Sequence, residues 1–174
     1  MQKTGLAPDR MDKANAFTAL MEREADGVLR LCYVILQDRM LAEDVMQDVF
    51  LKAYRHMDEL REPKHQKTWL MRIAINACRD MRRSAFMRHV NRAVSLEELP
   101  PAVCEFTEED DSILREVMRL EPKHREVILL FYYQDMPAEA CARALRITRS
   151  GFYRRLKKAQ SALKPRLERW VFDE

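Results

Sequence analysis

Two short apolar stripes of helical period, three residues apart, constrain this chain more than any other feature. Ala138, Cys141, Ala142 and Leu145 recur at i, i+3, i+4 and i+7, which lines one face of a helix over residues 136–145. Arg146, Ile147 and Thr148 intervene. Phe152, Leu156, Ala159 and Leu163 then repeat the period over residues 149–163. Helices joined by so short a turn must cross and bury those stripes, an arrangement of helix-turn-helix type. Thr148 is placed to cap the second helix by accepting a bond from one of its free N–H groups. Between the apolar positions stand Arg149, Tyr153, Arg154, Arg155, Lys157 and Lys158. Many helical hairpins share this spacing without touching DNA, so charge decides. Residues 143–169 hold ten Lys or Arg and one acid. A second helix that is basic on its open side suits a DNA major groove better than a merely solvated face.

The rest of the chain is helical too. Only three glycines occur in 174 residues, too few for a turn-rich β fold. The expected fold is all-α: two small helical domains, residues 12–86 and 112–172, joined by an acidic linker over 87–111. A first helix is expected over 13–36, with Phe17, Leu20, Met21, Val28, Leu31, Cys32 and Ile35 inward and Gly27 as a break. A second is expected over 41–57, with Val45, Val49, Ala53 and Met57 inward. A polar loop over 58–67 contains Pro63. A third helix over 68–86 has Leu70, Ile73, Ala74, Ala77 and Met81 on its buried face. Arg72, Asn76, Arg79 and Arg83 lie opposite. Pro100-Pro101 stops helix in the linker. Helices resume over 112–120, and Pro122 opens another, to about residue 134.

Net charge is +3, but the charges fall in blocks. Residues 61–92 carry nine bases and two acids, and residues 95–116 eight acids and one base. Two basic blocks around an acidic one suggest two nucleic-acid contacts joined by a connector. No apolar run approaches the ~20 residues of a membrane span. Residues 1–13 lack the apolar core of a signal peptide, which predicts a cytoplasmic protein without membrane insertion. Cys32, Cys78, Cys104 and Cys141 are too widely spaced for a zinc site and read as small buried hydrophobes. His56, His65, His89 and His124 are scattered. No nucleophile–base pair, phosphate loop or metal spacing is present, so neither an enzyme nor a cofactor or metal is expected.

Residues 42–54, Ala-Glu-Asp-Val-Met-Gln-Asp-Val-Phe-Leu-Lys-Ala-Tyr, resemble region 2 of the extracytoplasmic-function sigma factors of bacterial RNA polymerase. So do residues 68–76, Thr-Trp-Leu-Met-Arg-Ile-Ala-Ile-Asn. Residues 120–130, Leu-Glu-Pro-Lys-His-Arg-Glu-Val-Ile-Leu-Leu, and the helix-turn-helix resemble region 4. The motifs span nearly the whole chain in the family's order. The resemblance implies a protein that binds core RNA polymerase and promoter DNA. Region 2 would dock on the polymerase clamp and hold the melted −10 element as single strand. Region 4 would read the −35 element as duplex. Many relatives also have an anti-sigma factor, and the sequence leaves open whether this chain does.

The residues fit those roles. Asp44, Gln47, Asp48 and Leu51 share one helix face, a mixed patch suited to the polymerase. Arg72, Asn76, Arg79 and Arg83 suit phosphates and base edges. The 58–67 loop, with Lys64 and Lys67, resembles the family's element that captures a flipped-out base. Trp69, beside Leu70, fits core packing better than base stacking. Tyr153 and Arg154 stand where the family makes major-groove contacts, with Lys157 and Lys158 adding base or phosphate contacts. Arg149 and Arg155 fit phosphate anchors. Two positions depart from the family. Its turn glycine is Arg146 here, so the turn must close without glycine's easy access to positive φ. Its small hydroxyl residue early in the recognition helix is Gly151, expected to loosen that helix by up to ~1 kcal/mol relative to Ala. The rival reading is a stand-alone helix-turn-helix regulator, which would normally be a dimer. It leaves the basic 61–92 block unexplained, and no dimerisation helix is visible, so a monomer is expected.

Overall fold

The computed structural model describes residues 8–59, 62–83 and 108–171. Seven α-helices follow in order: α1 (Pro8–Leu36), α2 (Arg39–Arg55), α3 (Pro63–Arg83), α4 (Glu108–Met118), α5 (Pro122–Ile128), α6 (Ala138–Leu145) and α7 (Arg149–Val171). Among the described residues there is no strand. The fold is all-α, with α1–α3 forming an N-terminal unit and α4–α7 a C-terminal one. Most of the expected linker, including Pro100-Pro101 and Cys104, lies outside the described residues.

In the N-terminal unit, α1 and α2 pack on each other and both pack on α3. Leu20, Val28, Leu31, Cys32 and Ile35 of α1 are buried with Val45, Val49 and Ala53 of α2 and the nearby Met57. Asp38 caps α2, its carboxylate accepting from the Leu41 N–H at 3.0 Å. Met21 is not in this core; it is 38% exposed. Gly27 does not break α1. The helix runs through it with ordinary dihedrals, although a mid-helix glycine costs about 1 kcal/mol relative to Ala.

α3 begins at Pro63, so half of the expected 58–67 loop is helix. Proline preset for the first turn explains the early start, because it lacks only an N–H that the helix leaves free anyway. Its buried stripe is also rotated from expectation. Leu70, Met71, Ala74, Ile75 and Cys78 are fully buried, while Ile73, Ala77 and Met81 are only partly so. α3 packs on α1 and α2 and also on α6 of the C-terminal unit, and Cys78 of the stripe meets Cys32 of α1. Trp69 is half-buried against the core, its ring 5.9 Å from that of His56.

In the C-terminal unit α5 packs on α7, and α6 packs on both α3 and α7. α4 starts at Glu108, inside the acidic run expected to be linker, since acids are favoured in a first turn. The single helix expected over 122–134 changes pitch: residues Leu129–Tyr133 form a π turn, closed by the Gln134 N–H on the Leu129 carbonyl at 2.9 Å. The described positive-φ residues are Gln37, Asp135 and Arg146, and no glycine is among them. Arg146 ends α6 at φ 55 and ψ 45. The turn therefore takes the left-handed conformation without a glycine to ease it, imposed on an arginine, because the chain must reverse there between two buried stripes. Buried residues of both units form one contiguous apolar cluster.

Candidate nucleic-acid interface

α7 is built as the stripe required. Phe152, Leu156, Ala159 and Leu163 are buried. Thr148 caps the helix, its hydroxyl accepting from the Gly151 N–H at 3.0 Å. Gly151 is buried there, and a Cβ at that position would lie 3.0 Å from the same hydroxyl oxygen. The glycine therefore gives the cap room, offsetting some of the looseness expected of it. Tyr153, Arg154, Lys157 and Lys158 are exposed, and Arg155 is half-buried. Arg149 is tied to protein groups. It lies 2.9 Å from Glu139 and 5.7 Å from the centre of the Tyr153 ring. A hydrogen bond with Tyr153, together with the Glu139 charge, strengthens its hold on its proton.

On α2, Asp44, Gln47, Asp48 and Leu51 are all exposed and share one face. Met40 lies one turn before Asp44 on that face and is 77% exposed; Leu51 is 56% exposed. Sequence reasoning missed Met40. Its signal was available, since i, i+4, i+7, i+8 and i+11 from residue 40 fall on one side of a helix.

The basic residues of α3 do not form one open face. Arg83 is exposed, 3.8 Å from Asp80. Asn76 is half-buried, as is Arg72, whose Nε is buried without a partner. Arg79 donates two bonds to the Glu126 carboxylate of α5, at 2.9 and 2.6 Å. Lys67 donates to the Gln134 carbonyl at 2.7 Å. The side chain of Lys64 lies outside those described.

Three buried polar residues of the C-terminal unit were therefore missed: Arg125, Glu126 and Gln134. Arg125 donates to the carbonyls of Val34 and Ile35 at 3.0 and 3.4 Å, to Leu120 at 3.0 Å and to Met118. Burial pulls its pKa down to about 10, so it stays charged at neutral pH. Glu126 is 3% exposed and paired with Arg79. The bonds of Arg125 to Val34 and Ile35 and the Glu126–Arg79 pair cross from one unit to the other, which local periodicity cannot signal. Cys32, Cys78 and Cys141 are free and buried, as expected, and burial pushes the Cys141 thiol up to about 12. Among the described residues no group of His, Cys, Asp and Glu could hold a metal, and no helix is long and apolar enough to cross a membrane.

Known proteins share this organisation. Residues 20–86 match the family model for Sigma-70 region 2, and residues 110–163 that for Sigma-70 region 4. The ECF RNA polymerase sigma factor SigW of Bacillus subtilis is 26% identical over 167 residues, covering 88% of this chain and 89% of its own. RNA polymerase sigma factor CarQ of Myxococcus xanthus is 33% identical over 121 residues, 67% of this chain and 68% of its own. Two solved complexes share the fold. CnrH with the cytosolic domain of CnrY gives a TM-score of 0.64 at 23% identity, covering 89% of each chain. Sigma factor RpoE with the anti-sigma factor NepR, from Bartonella quintana, gives 0.69 at 18% identity, covering 94% of this chain and 99% of that one.

Proposed function

Because the chain belongs to the extracytoplasmic-function sigma factors of bacterial RNA polymerase, we propose how its surfaces divide the work of promoter recognition. The α2 face of Met40, Asp44, Gln47, Asp48 and Leu51 docks on core polymerase. Exposed Met40 and Leu51 stand at the two ends of that face, with the Asp44 and Asp48 carboxylates and the Gln47 amide between them, a mixed apolar and polar patch suited to a protein partner. α3, with Lys64, Lys67, Arg72, Asn76, Arg79 and Arg83, holds the melted −10 strand. α7 enters the major groove of the −35 duplex. The N-terminal domain spans residues 12–86 and the C-terminal domain 112–172, and the linker over 87–111 gives its last residues to α4, which begins at Glu108. Phosphodiester synthesis is the polymerase's own chemistry, and this chain contributes no catalytic group to it. Its work lies in the cytoplasm with the polymerase, and an anti-sigma partner like NepR, which binds RpoE, would act on these same surfaces.

The observation that carries the −35 assignment is the orientation of α7. Its buried stripe fixes Tyr153, Arg154, Lys157 and Lys158 outward, and no acid stands among them. Arg154 is the reader: a guanidinium grips guanine O6 and N7 with two bonds, worth ~1–3 kcal/mol of discrimination. Arg155, at the edge of the buried stripe, and Arg149, held by Glu139 and Tyr153, anchor phosphates and set register. Selection from randomised −35 duplexes at two salt concentrations tests this. Arg154→Ala should relax preference at one or two positions. Arg155→Ala should weaken binding to all sequences and flatten its salt dependence. A changed preference with Arg155→Ala alone would reverse the assignment.

A further inference from the structure

The C-terminal unit covers part of the surface assigned to the −10 strand, and it uses the same cations. Glu126 takes the Arg79 guanidinium through two bonds, at 2.9 and 2.6 Å. A carboxylate and a phosphodiester engage a guanidinium with the same two-pronged geometry. Lys67 is held by the Gln134 carbonyl at 2.7 Å. The Gln134 side chain in turn donates to the Gly27 carbonyl of α1 at 2.9 Å, with its amide buried between the units. Gly27 explains itself here. It sits mid-helix without a positive φ, so α1 has no backbone need for glycine. What it supplies is space: a Cβ there would come within 2.9 Å of the Gln134 Oε1.

We propose that the free protein is self-inhibited, the C-terminal unit closing over α3 so that Glu126 competes with single-stranded DNA for Arg79. Gln134 seated on Gly27 is the latch. This rests on the reading that α3 holds the melted strand. Opening must precede strand capture, so affinity for single strand is reduced by the fraction of molecules that are open.

Gly27→Gln tests the latch in the full chain. The new side chain cannot share space with Gln134, carries no charge that would attract DNA, and favours α1 over glycine. Glu126→Gln tests the competitor. Small-angle scattering measures compactness, circular dichroism helicity, and anisotropy the binding of a fluorescein-labelled, mixed-sequence single-stranded 20-mer. Wild type should be compact. Both variants should keep their helicity and become more extended. They should bind the 20-mer about tenfold more tightly if the open form is roughly a tenth of the wild-type population. A wild type already extended, or a helical Gly27→Gln as compact as wild type, would overturn the latch. Opening with no gain in affinity would overturn the competition. Arg79→Ala added to Gly27→Gln separates the two readings. A gain that disappears supports both. A gain that survives sinks Arg79 as a strand contact and the competition with it, while the scattering result still stands for closure.

Discussion

Arg125→Met should remove about 3 kcal/mol of stability, because one buried guanidinium closes the ends of two helices. α1 ends at Leu36, leaving the Val34 and Ile35 carbonyls without helical partners; α4 ends at Met118. Arg125, only 7% exposed, donates to Val34, Ile35, Met118 and Leu120. It also sets a positive charge at the negative ends of both helices. The Val34 and Leu120 bonds are of ordinary length, the Met118 carbonyl accepts as well, and the Ile35 contact at 3.4 Å is weak. Bonds to a charged group contribute ~1.5–3 kcal/mol each, so the three give roughly 4.5–9 kcal/mol. Against this stands desolvation of the guanidinium. Burial, with the nearby Arg82 charge and against the pull of Glu126, takes its pKa down to about 10, a net penalty on the charged form of roughly 3 kcal/mol. The difference is about 2–6 kcal/mol, and methionine's own packing trims it toward the lower half. For a chain of this size that is a fall in Tm of about 6–12 °C. Thermal and urea unfolding followed by circular dichroism measure it. Arg125→Lys, which keeps the charge but cannot reach both helix ends, should fall between. A loss below about 1 kcal/mol for Arg125→Met would mean that water satisfies these carbonyls and the guanidinium does not hold the helix ends.

Three further outcomes are expected. Arg146→Gly should raise stability by up to ~1 kcal/mol in the same unfolding assay, since it relieves a left-handed arginine at φ 55; a loss would show that the Arg146 side chain contributes more than the strain removes. Burial lowers the pKa of His124, and the nearby Lys123, Lys158 and Arg155 add to that while Glu121 opposes it. The native state therefore prefers the neutral ring: stability is full above the unfolded value of 6.5 and falls as pH drops through that value toward the lower folded one. His124→Gln should flatten that decline in a pH series of unfolding curves, and an unchanged slope would assign it to other groups. Asp48→Arg and Met40→Ala should each weaken core polymerase binding in a titration without changing helicity, and unchanged affinity for both would move the docking face off α2.

The helix-turn-helix was legible because every level agreed there: apolar period, Thr148 as a cap, and charge on the open side. The inward residues of α2 were legible for the same reason. What failed was tertiary. α3 also buries Met71, Ile75 and Cys78: Cys78 meets Cys32 of α1, and α6 packs on α3 as well, and no local period reports neighbours that distant in sequence. Pro63 is equally at home in a loop or a first turn, so the start of α3 was ambiguous. Gly27 was read as a break because glycine destabilises a helix. Its reason, room for Gln134, lies more than a hundred residues away. Arg125 and Glu126 carry no local signal, because their partners stand on α1 and α3. At the α6–α7 turn the family's glycine is absent, and an arginine takes the left-handed conformation in its place.

Run-off transcription tests the central claim most directly. Core RNA polymerase, a genomic fragment library and the purified full chain are combined, with core alone as the control. The account predicts discrete transcripts only when the chain is present, starting downstream of shared −35 and −10 sequences, and lost with Asp48→Arg. Transcripts that do not depend on the chain, or a chain that binds duplex DNA while leaving initiation unchanged, would contradict it.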